Sequence, residues 1–393
     1  MIITCITILA VDFPVFPRRF AKTEAFGTSL MDLGVGSFVF AAGIVAARQQ
    51  LKDQQAKASS FASRIKTAMR HSAPLFALGF IRLWSVKGLE YVEHVSEYGV
   101  HWNFFFTLAL LPLAVALLQP VLRFIPMYGL LAFAIGICYE STLYMVPDLK
   151  SYIILSERKQ GDWMSQNREG VFSFIGYLAI FLGGMGAGMN ILPRDPTELP
   201  KSTMEQKQDL LDEDADWLAA VLEPGVEHAP VSNEPPPLGR PEMPENTLGR
   251  LAVLTGFWFV ACVWAMWTYG PHLFVSRRMA NLAYICWVCA FNNGQLLLFC
   301  GIEKVLFPNL YKATDKVNER RRTQEATSKV MQAFNRNGLA LFLLANLLTG
   351  AVNMAVETLH MGDVQAMSIL VGYIGVVAGT GLLLDHYDIS VKL

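Results

Sequence analysis

Residues 102–147 read WNFFFTLALLPLAVALLQPVLRFIPMYGLLAFAIGICYESTLYMVP, and their two apolar runs decide the fold. Each run, 102–122 and 126–147, supplies the roughly 20 mostly apolar residues that a helix needs to cross a bilayer core about 30 Å thick. Outward from this pair, similar runs stand at 27–47, 170–190, 249–269, 280–301, 338–357 and 366–385. The stretch 73–91 is weaker because Arg82 and Lys87 interrupt it, yet the loops on either side of it require a crossing there. The expected fold is all-α, a polytopic integral membrane helical bundle of about nine full transmembrane helices. Residues 1–11, MIITCITILAV, are too short to span. They have no basic n-region and no small-residue cleavage site, so they read as the end of a truncated helix and not as a signal peptide.

Composition agrees with membrane insertion. Hydrophobic residues make up 53% of the chain and charged residues 17%, with a mean hydropathy of +0.35. A soluble domain would carry roughly a quarter charged residues. The net charge of -1 supplies no basic field for nucleic acid, which excludes it as an expected partner. All cysteines lie in apolar segments. Cys286 and Cys289 have CxxC spacing inside an apolar helix with no partner His or second pair, so they read as packing residues and no metal is expected.

Orientation follows from the positive residues. The segment 48–72 holds Arg48, Lys52, Lys57, Arg64, Lys66 and Arg70 against Asp53, and 303–336 is similarly basic. Both are expected in the cytoplasm, as is the C-terminus. Residues 12–26, 92–101, 148–169, 270–279 and 358–365 then share the opposite face. The segment 191–248 is rich in Pro, Glu and Asp and has no sustained apolar period. It reads as a disordered cytoplasmic linker between an N-terminal part of the bundle, 1–190, and C-terminal helices, 249–393.

Two clusters on that opposite face could carry chemistry. The first is VDFPVFPRRFAKTEAFGTS at 11–29. Pro14 and Pro17 prevent a continuous helix, so the chain bends just outside the membrane and brings Asp12, Arg18, Arg19, Lys22 and Glu24 close in sequence. Asp12 ends an apolar run, where partial burial would make it a better base. Lys22 could stabilise an oxyanion, hold a phosphate or pair with Asp12; interfacial anchoring by basic side chains is the plain structural alternative. The second cluster, YVEHVSEYGVHWNFFF, runs from Tyr91 to Phe106. Its Glu93, Glu97 and His101 would share one face of a helix, with His94 and Asn103 beside them. Such a set could bind metal, relay protons or grip sugar hydroxyls, though it lacks HExxH spacing, or be an interfacial helix with locally paired carboxylates. Within the spans, Asp32, Arg82, Lys87, Glu140 and Glu357 should face the bundle interior. Gly34 and Gly36 near Asp32 permit close approach of a helix or ligand. The run FLGGMGAGMN at 181–190 reads as tight helix packing and not as phosphate binding.

Three stretches carry a family resemblance: VDFPVFPRRFAKTEAFGTSLMDLGVGSFVF, YVEHVSEYGVHWNFF and LFLLANLLTGAVN (341–353). Together they resemble the inositol acyltransferases of glycosylphosphatidylinositol (GPI) anchor biosynthesis, the PIG-W type, from about residue 1 to 386. That resemblance implies thirteen spans with a luminal N-terminus and a cytosolic C-terminus, of which this chain carries the last nine and the end of the fourth. It implies a multi-pass protein of the endoplasmic reticulum membrane with luminal active-site loops. The reaction would move a long acyl chain, usually palmitoyl, from acyl-CoA to the inositol 2-hydroxyl of glucosaminyl-phosphatidylinositol. Acyl-CoA is then a co-substrate, the glycolipid and bilayer are partners, and no cofactor is required. The family's proposed catalytic pair falls on Asp12 and Lys22. Arg18 and Arg19 would suit substrate phosphate, Gly34 and Gly36 would leave room for the acyl chain, and Asp32, Glu93, His94, Glu97, His101 and Asn103 would contact substrate. A membrane transporter with buried charges and a non-catalytic scaffold are the alternatives outside the enzyme class.

Overall fold

The computed structural model describes residues 2–55, 61–86, 97–122, 125, 127–192, 246–269, 274–308, 310 and 316–391. All its regular structure among these residues is helical. The helices are α1 (Ile2–Ala10), α2 (Leu30–Gln55), α3 (Phe61–Val86), α4 (Phe104–Leu122), α5 (Tyr128–Met145) and α6 (Leu149–Ile154). They continue with α7 (Trp163–Ile191), α8 (Thr247–Tyr269), α9 (Leu282–Leu306), α10 (Lys316–Ala326), α11 (Lys329–Ala355) and α12 (Asp363–His386).

Each apolar run read from the sequence coincides with a helix, but fewer than nine meet the requirements for a span. Six described helices are long and apolar enough to cross a membrane: α2, α4, α7, α8, α9 and α12. The count becomes 7 if α11, bent by 89° between Lys329–Gly338 and Ala340–Ala355, is one span. The other two expected spans fall short for different reasons. Helix α3 carries Arg64, Lys66, Arg70 and Arg82, and the apolar run of α5 is interrupted by Glu140, Ser141 and Thr142. The basic segment at 48–72 is largely the ends of α2 and α3, which run on past their apolar portions. Most of the expected linker, 193–245, lies outside the described residues.

Large apolar side chains stand exposed along the helices, among them Trp84 (85%), Trp267 (87%), Met354 (86%) and Val364 (81%). Soluble proteins rarely leave such surface bare, whereas lipid tails cover it. The chain is a polytopic membrane helical bundle.

The described residues form two compact units. One combines 1–23, 29–34 and 306–393, and the other combines 24–28 and 35–305. In the first, α1 packs against α11 and α12 through Cys5, Leu9, Phe13, Leu341, Leu370 and Tyr373. The Tyr373 hydroxyl donates to the Cys5 carbonyl at 2.7 Å, which ties α12 to α1 inside this core.

In the second unit α7 is the central helix: 78% of its apolar window is buried, against 39% or less in the other spans. Its small residues explain this. A Cβ on Gly184 would strike the Phe40 carbonyl of α2, one on Gly43 the Phe181 carbonyl of α7, and Gly188 rests on Ile44 and Ala47. The run at 181–190 is thus a backbone contact surface, as its composition implies. Gly184→Val should therefore force α2 and α7 apart, an overpacking cost of about 1–3 kcal/mol or more. The expected result is a midpoint of thermal aggregation in detergent several degrees lower, while Gly34→Ala, which opens on empty space, leaves it unchanged.

Helix starts are capped by side chains. Asp162 accepts from the Met164 and Ser165 amides at the start of α7. Asn281 accepts from the Tyr284 amide at the start of α9. Glu140 of α5 takes the Leu282 amide at 3.0 Å and pairs with Lys150 at 3.2 Å. A carboxylate that is costly in lipid is thereby satisfied by a helix N-terminus and a lysine.

Candidate active site

The first cluster lies in the unit built from both chain ends. Helix α1 ends at Ala10, and the turn closes with the Asp12 amide donating to the Leu9 carbonyl at 3.1 Å. Phe13 then inserts into the core at 0% exposure, which fixes the backbone on one side of Asp12. The chain bends at the two prolines, as their chemistry requires, and passes through a short 3-10 turn at Arg18–Phe20. The Arg18 guanidinium donates back to the Val11 carbonyl at 3.1 Å, and the Arg19 guanidinium lies over the Phe20 ring at 4.9 Å.

Asp12 itself is half-buried, with Arg18, Arg19 and Lys22 exposed. Its Oδ2 accepts from Asn353 Nδ2 of α11 at 2.9 Å. Asn353 closes the stretch LFLLANLLTGAVN, yet no role for it could be read from the sequence. Asn346 and Thr349 stand in the same run, so an amide there is no distinguishing sign.

Asp32 is fully buried and engaged by its own loop. Its carboxylate accepts from the Thr23 amide at 3.2 and 3.3 Å, the Thr23 hydroxyl at 2.8 Å and the Ser29 hydroxyl at 2.9 Å. Ser29 in turn accepts from the Asp32 amide at 3.3 Å, so its hydroxyl caps the start of α2. Thr23 follows Lys22 directly, so this buried carboxylate anchors the segment that carries the lysine. Two residues on, Gly34 faces open space. Gly36 does not: a Cβ there would meet Val288 at 2.6 Å and the Tyr284 hydroxyl at 2.9 Å, so Gly36 seats α9.

The second cluster lies in the other unit. Glu93 and His94 fall outside the described residues. Residues 97–103 form a turn, not the helix that would have put Glu97 and His101 on one face. Gly99, at φ +121°, supplies the left-handed step that reverses the chain there. Glu97 pairs with Arg277 at 3.4 Å. The His101 ring meets Gln166 at 3.1 Å. Asn103 is a helix cap: its Oδ1 accepts from the Phe105 and Phe106 amides, and its Nδ2 donates to the Gly79 carbonyl at 2.9 Å. Asn167 departs from helical geometry inside α7 (φ -123°) and presents Oδ1 to the His101 and Trp102 amides at 2.8 and 2.9 Å. Burial, followed by Tyr177 and Glu97, pushes the Tyr98 phenol well above its ordinary pKa, which keeps it neutral.

Beneath this turn lies a buried ion network that sequence reading missed. Glu169, at 0% exposure, is approached by Arg158 at 2.7 Å, Arg278 at 3.3 Å and Arg168 at 3.8 Å. Arg168 also donates to the Ser156 and Ile153 carbonyls. The partners are far apart in sequence, so no local spacing announces them. Among the described residues no group of three or more His, Cys, Asp or Glu side chains could hold a metal ion.

Fold and site together define an all-α polytopic membrane protein with a half-buried carboxylate, held by an amide, where a short apolar helix ends. The comparisons take this further. The GWT1 family matches residues 1–384. The chain is 47% identical over 401 residues to GPI-anchored wall transfer protein 1 of Gibberella zeae, covering 100% of this chain and 72% of that protein. The corresponding protein of Emericella nidulans is 47% identical with the same coverage, and that of Saccharomyces cerevisiae is 37% identical over 100% of this chain and 73% of its own length. The chain belongs to the GWT1 family. It is an acyl-CoA-dependent O-acyltransferase of GPI-anchor biosynthesis, as the resemblance implied.

Proposed function

We propose that this enzyme transfers a long acyl chain, palmitoyl in the first instance, from acyl-CoA to the inositol 2-hydroxyl of glucosaminyl-phosphatidylinositol. The family match across residues 1–384 carries the reaction class. The placement of Asp12 at the end of α1, with one carboxylate oxygen held by Asn353, supports it as the base. A sugar hydroxyl is a poor nucleophile, and a carboxylate at its proton lets the oxygen attack the thioester carbonyl carbon. The tetrahedral oxyanion is stabilised by Lys22. Collapse expels CoA thiolate, which takes the proton back from Asp12, leaving an inositol ester and free CoA. Arg18 and Arg19 bind substrate phosphate. Asp32 acts by anchoring Thr23, beside Lys22. Gly34 leaves room for the acyl chain. Glu93, His94, Glu97, His101 and Asn103 are the second set of residues proposed to contact substrate, Asn103 by capping α4 behind His101.

The test is acyl transfer by membranes carrying the intact protein, with palmitoyl-CoA and glucosaminyl-phosphatidylinositol supplied. The product should gain one palmitoyl group on the inositol ring. No product from a well-expressed protein would favour a transporter or a scaffold.

The same reading has α3 and α5 cross the endoplasmic reticulum membrane despite their charges, giving about nine spans, luminal loops around Asp12 and His101 and a cytoplasmic C-terminus. Segment 191–248 is a cytoplasmic linker between 1–190 and 249–393. A cysteine introduced at Ser59 should then react with an impermeant maleimide from the cytosol, and one at Ser96 only after the lumen is opened. Labelling of both from one side would remove the crossing by α3.

A further inference from the structure

We infer that Asn353 is a positioning residue for Asp12, an inference that rests on Asp12 being the base. Its partner is a carboxylate, whereas Asn292 and Asn337, which also reach out of their helices, bond the Ser37 hydroxyl and the Ile389 carbonyl. Asn190, Asn292, Asn293 and Asn346 each donate Nδ2 to the carbonyl four residues back in their own helix. That is the local way to satisfy an amide among apolar neighbours. Asn353 instead directs Nδ2 across to Asp12 Oδ2 at 2.9 Å, joining residues 341 apart in sequence. Thr349, one turn earlier on α11, follows the local habit and bonds the Ala345 carbonyl. The charged partner, and not the outward direction alone, distinguishes Asn353.

The chemistry of an amide suits the task. It is neutral at every relevant pH, so it neither removes the carboxylate's proton affinity as a lysine would nor competes for the substrate proton as a histidine would. A single N–H on Oδ2 fixes the carboxylate's rotation and leaves Oδ1 to take the proton of the substrate hydroxyl. The core contacts of Phe13 and Leu341 hold the backbones on both sides, so the bond joins two parts already packed together. Asn353 acts through Asp12.

The measurement is steady-state acyl transfer in membranes of the intact protein, for Asn353→Ala, Asn353→Asp, Asp12→Asn and the double variant Asp12→Asn/Asn353→Ala. Asn353→Ala should lower kcat roughly 10–100-fold, the usual effect of losing one hydrogen bond to a charged group, with KM for both substrates nearly unchanged. Asn353→Asp, equal in size but set against Asp12 as a like charge, should lose at least as much. If the alanine variant does not accumulate, this isosteric one decides the matter. The double variant should be no slower than Asp12→Asn alone, because a residue that works through Asp12 has nothing left to position. A full additional loss in the double variant, or a raised KM with normal kcat in Asn353→Ala, would overturn the inference. Near-normal turnover in Asp12→Asn would instead refute the base reading itself, whatever Asn353 does.

Discussion

Replacing Asp12 by Asn should reduce acyl transfer by about 10²–10⁴-fold, the range typical for loss of a general base. The substitution is nearly isosteric, and its amide oxygen can still accept from Asn353 Nδ2, so the turn after α1 and the Phe13 core contact should survive. The amide cannot take a proton from the inositol hydroxyl. Substrate binding should change little, so the loss should appear in kcat with protein abundance in the endoplasmic reticulum unaltered. Assay of membranes normalised for protein checks this. Turnover within a few-fold of normal would remove Asp12 as the base and leave His101, whose ring lies beside Gln166, as the next residue to test.

The second large effect is expected at Lys22. If its ammonium stabilises the oxyanion, it does so mainly in the transition state, and kcat should fall more than substrate affinity. Lys22→Met keeps the bulk of the chain and removes the charge. Loss of one such donor typically costs about 3–4 kcal/mol, or roughly 10²–10³ in kcat. Lys22→Arg should rescue only in part, since a planar guanidinium does not reproduce a point-charge donor. The three roles for Lys22 separate by kinetics with each substrate varied in turn. Phosphate binding would raise KM and spare kcat, and an interfacial anchor would change neither. An unchanged kcat in Lys22→Met would end the oxyanion assignment.

What could be read in advance divides along a physical line. The apolar runs fall on helices because hydropathy is a local property, and the packing role of 181–190 follows from its small side chains. Crossing is less local. Whether α3 with Arg82 or α5 with Glu140 lies in the membrane depends on what meets those charges, and Glu140 is met by Lys150 and by the first amide of α9. The site shows the same division. The proline bend was legible, as was the buried acid at Asp32. Ser29 three residues before it signals a helix cap, whereas the bonds from Thr23 to the same carboxylate had no local sign. Asn353 and the arginines around Glu169 were not legible, because their partners come from other parts of the chain. The turn at 97–103 misled for a related reason: Glu97 and His101 have helical spacing, but Gly99 and the amide of Asn167 hold the backbone in another shape.

The union of α1 with α11 and α12 also bears on biosynthesis. Asn353 follows Asp12 in the chain by 341 residues. At about 5–20 residues per second, the ribosome needs roughly 15–70 s to supply Asn353. Throughout that time Phe13 lacks its core partners on α11 and α12, and the Asp12 carboxylate lacks the Asn353 amide. The unit therefore closes late in synthesis. A chain that stops anywhere before α11 has every residue of the first cluster and no partner for its acid. Such products should be recognised as unfinished and degraded, and their detection in cells would be by turnover rate and not by partial activity.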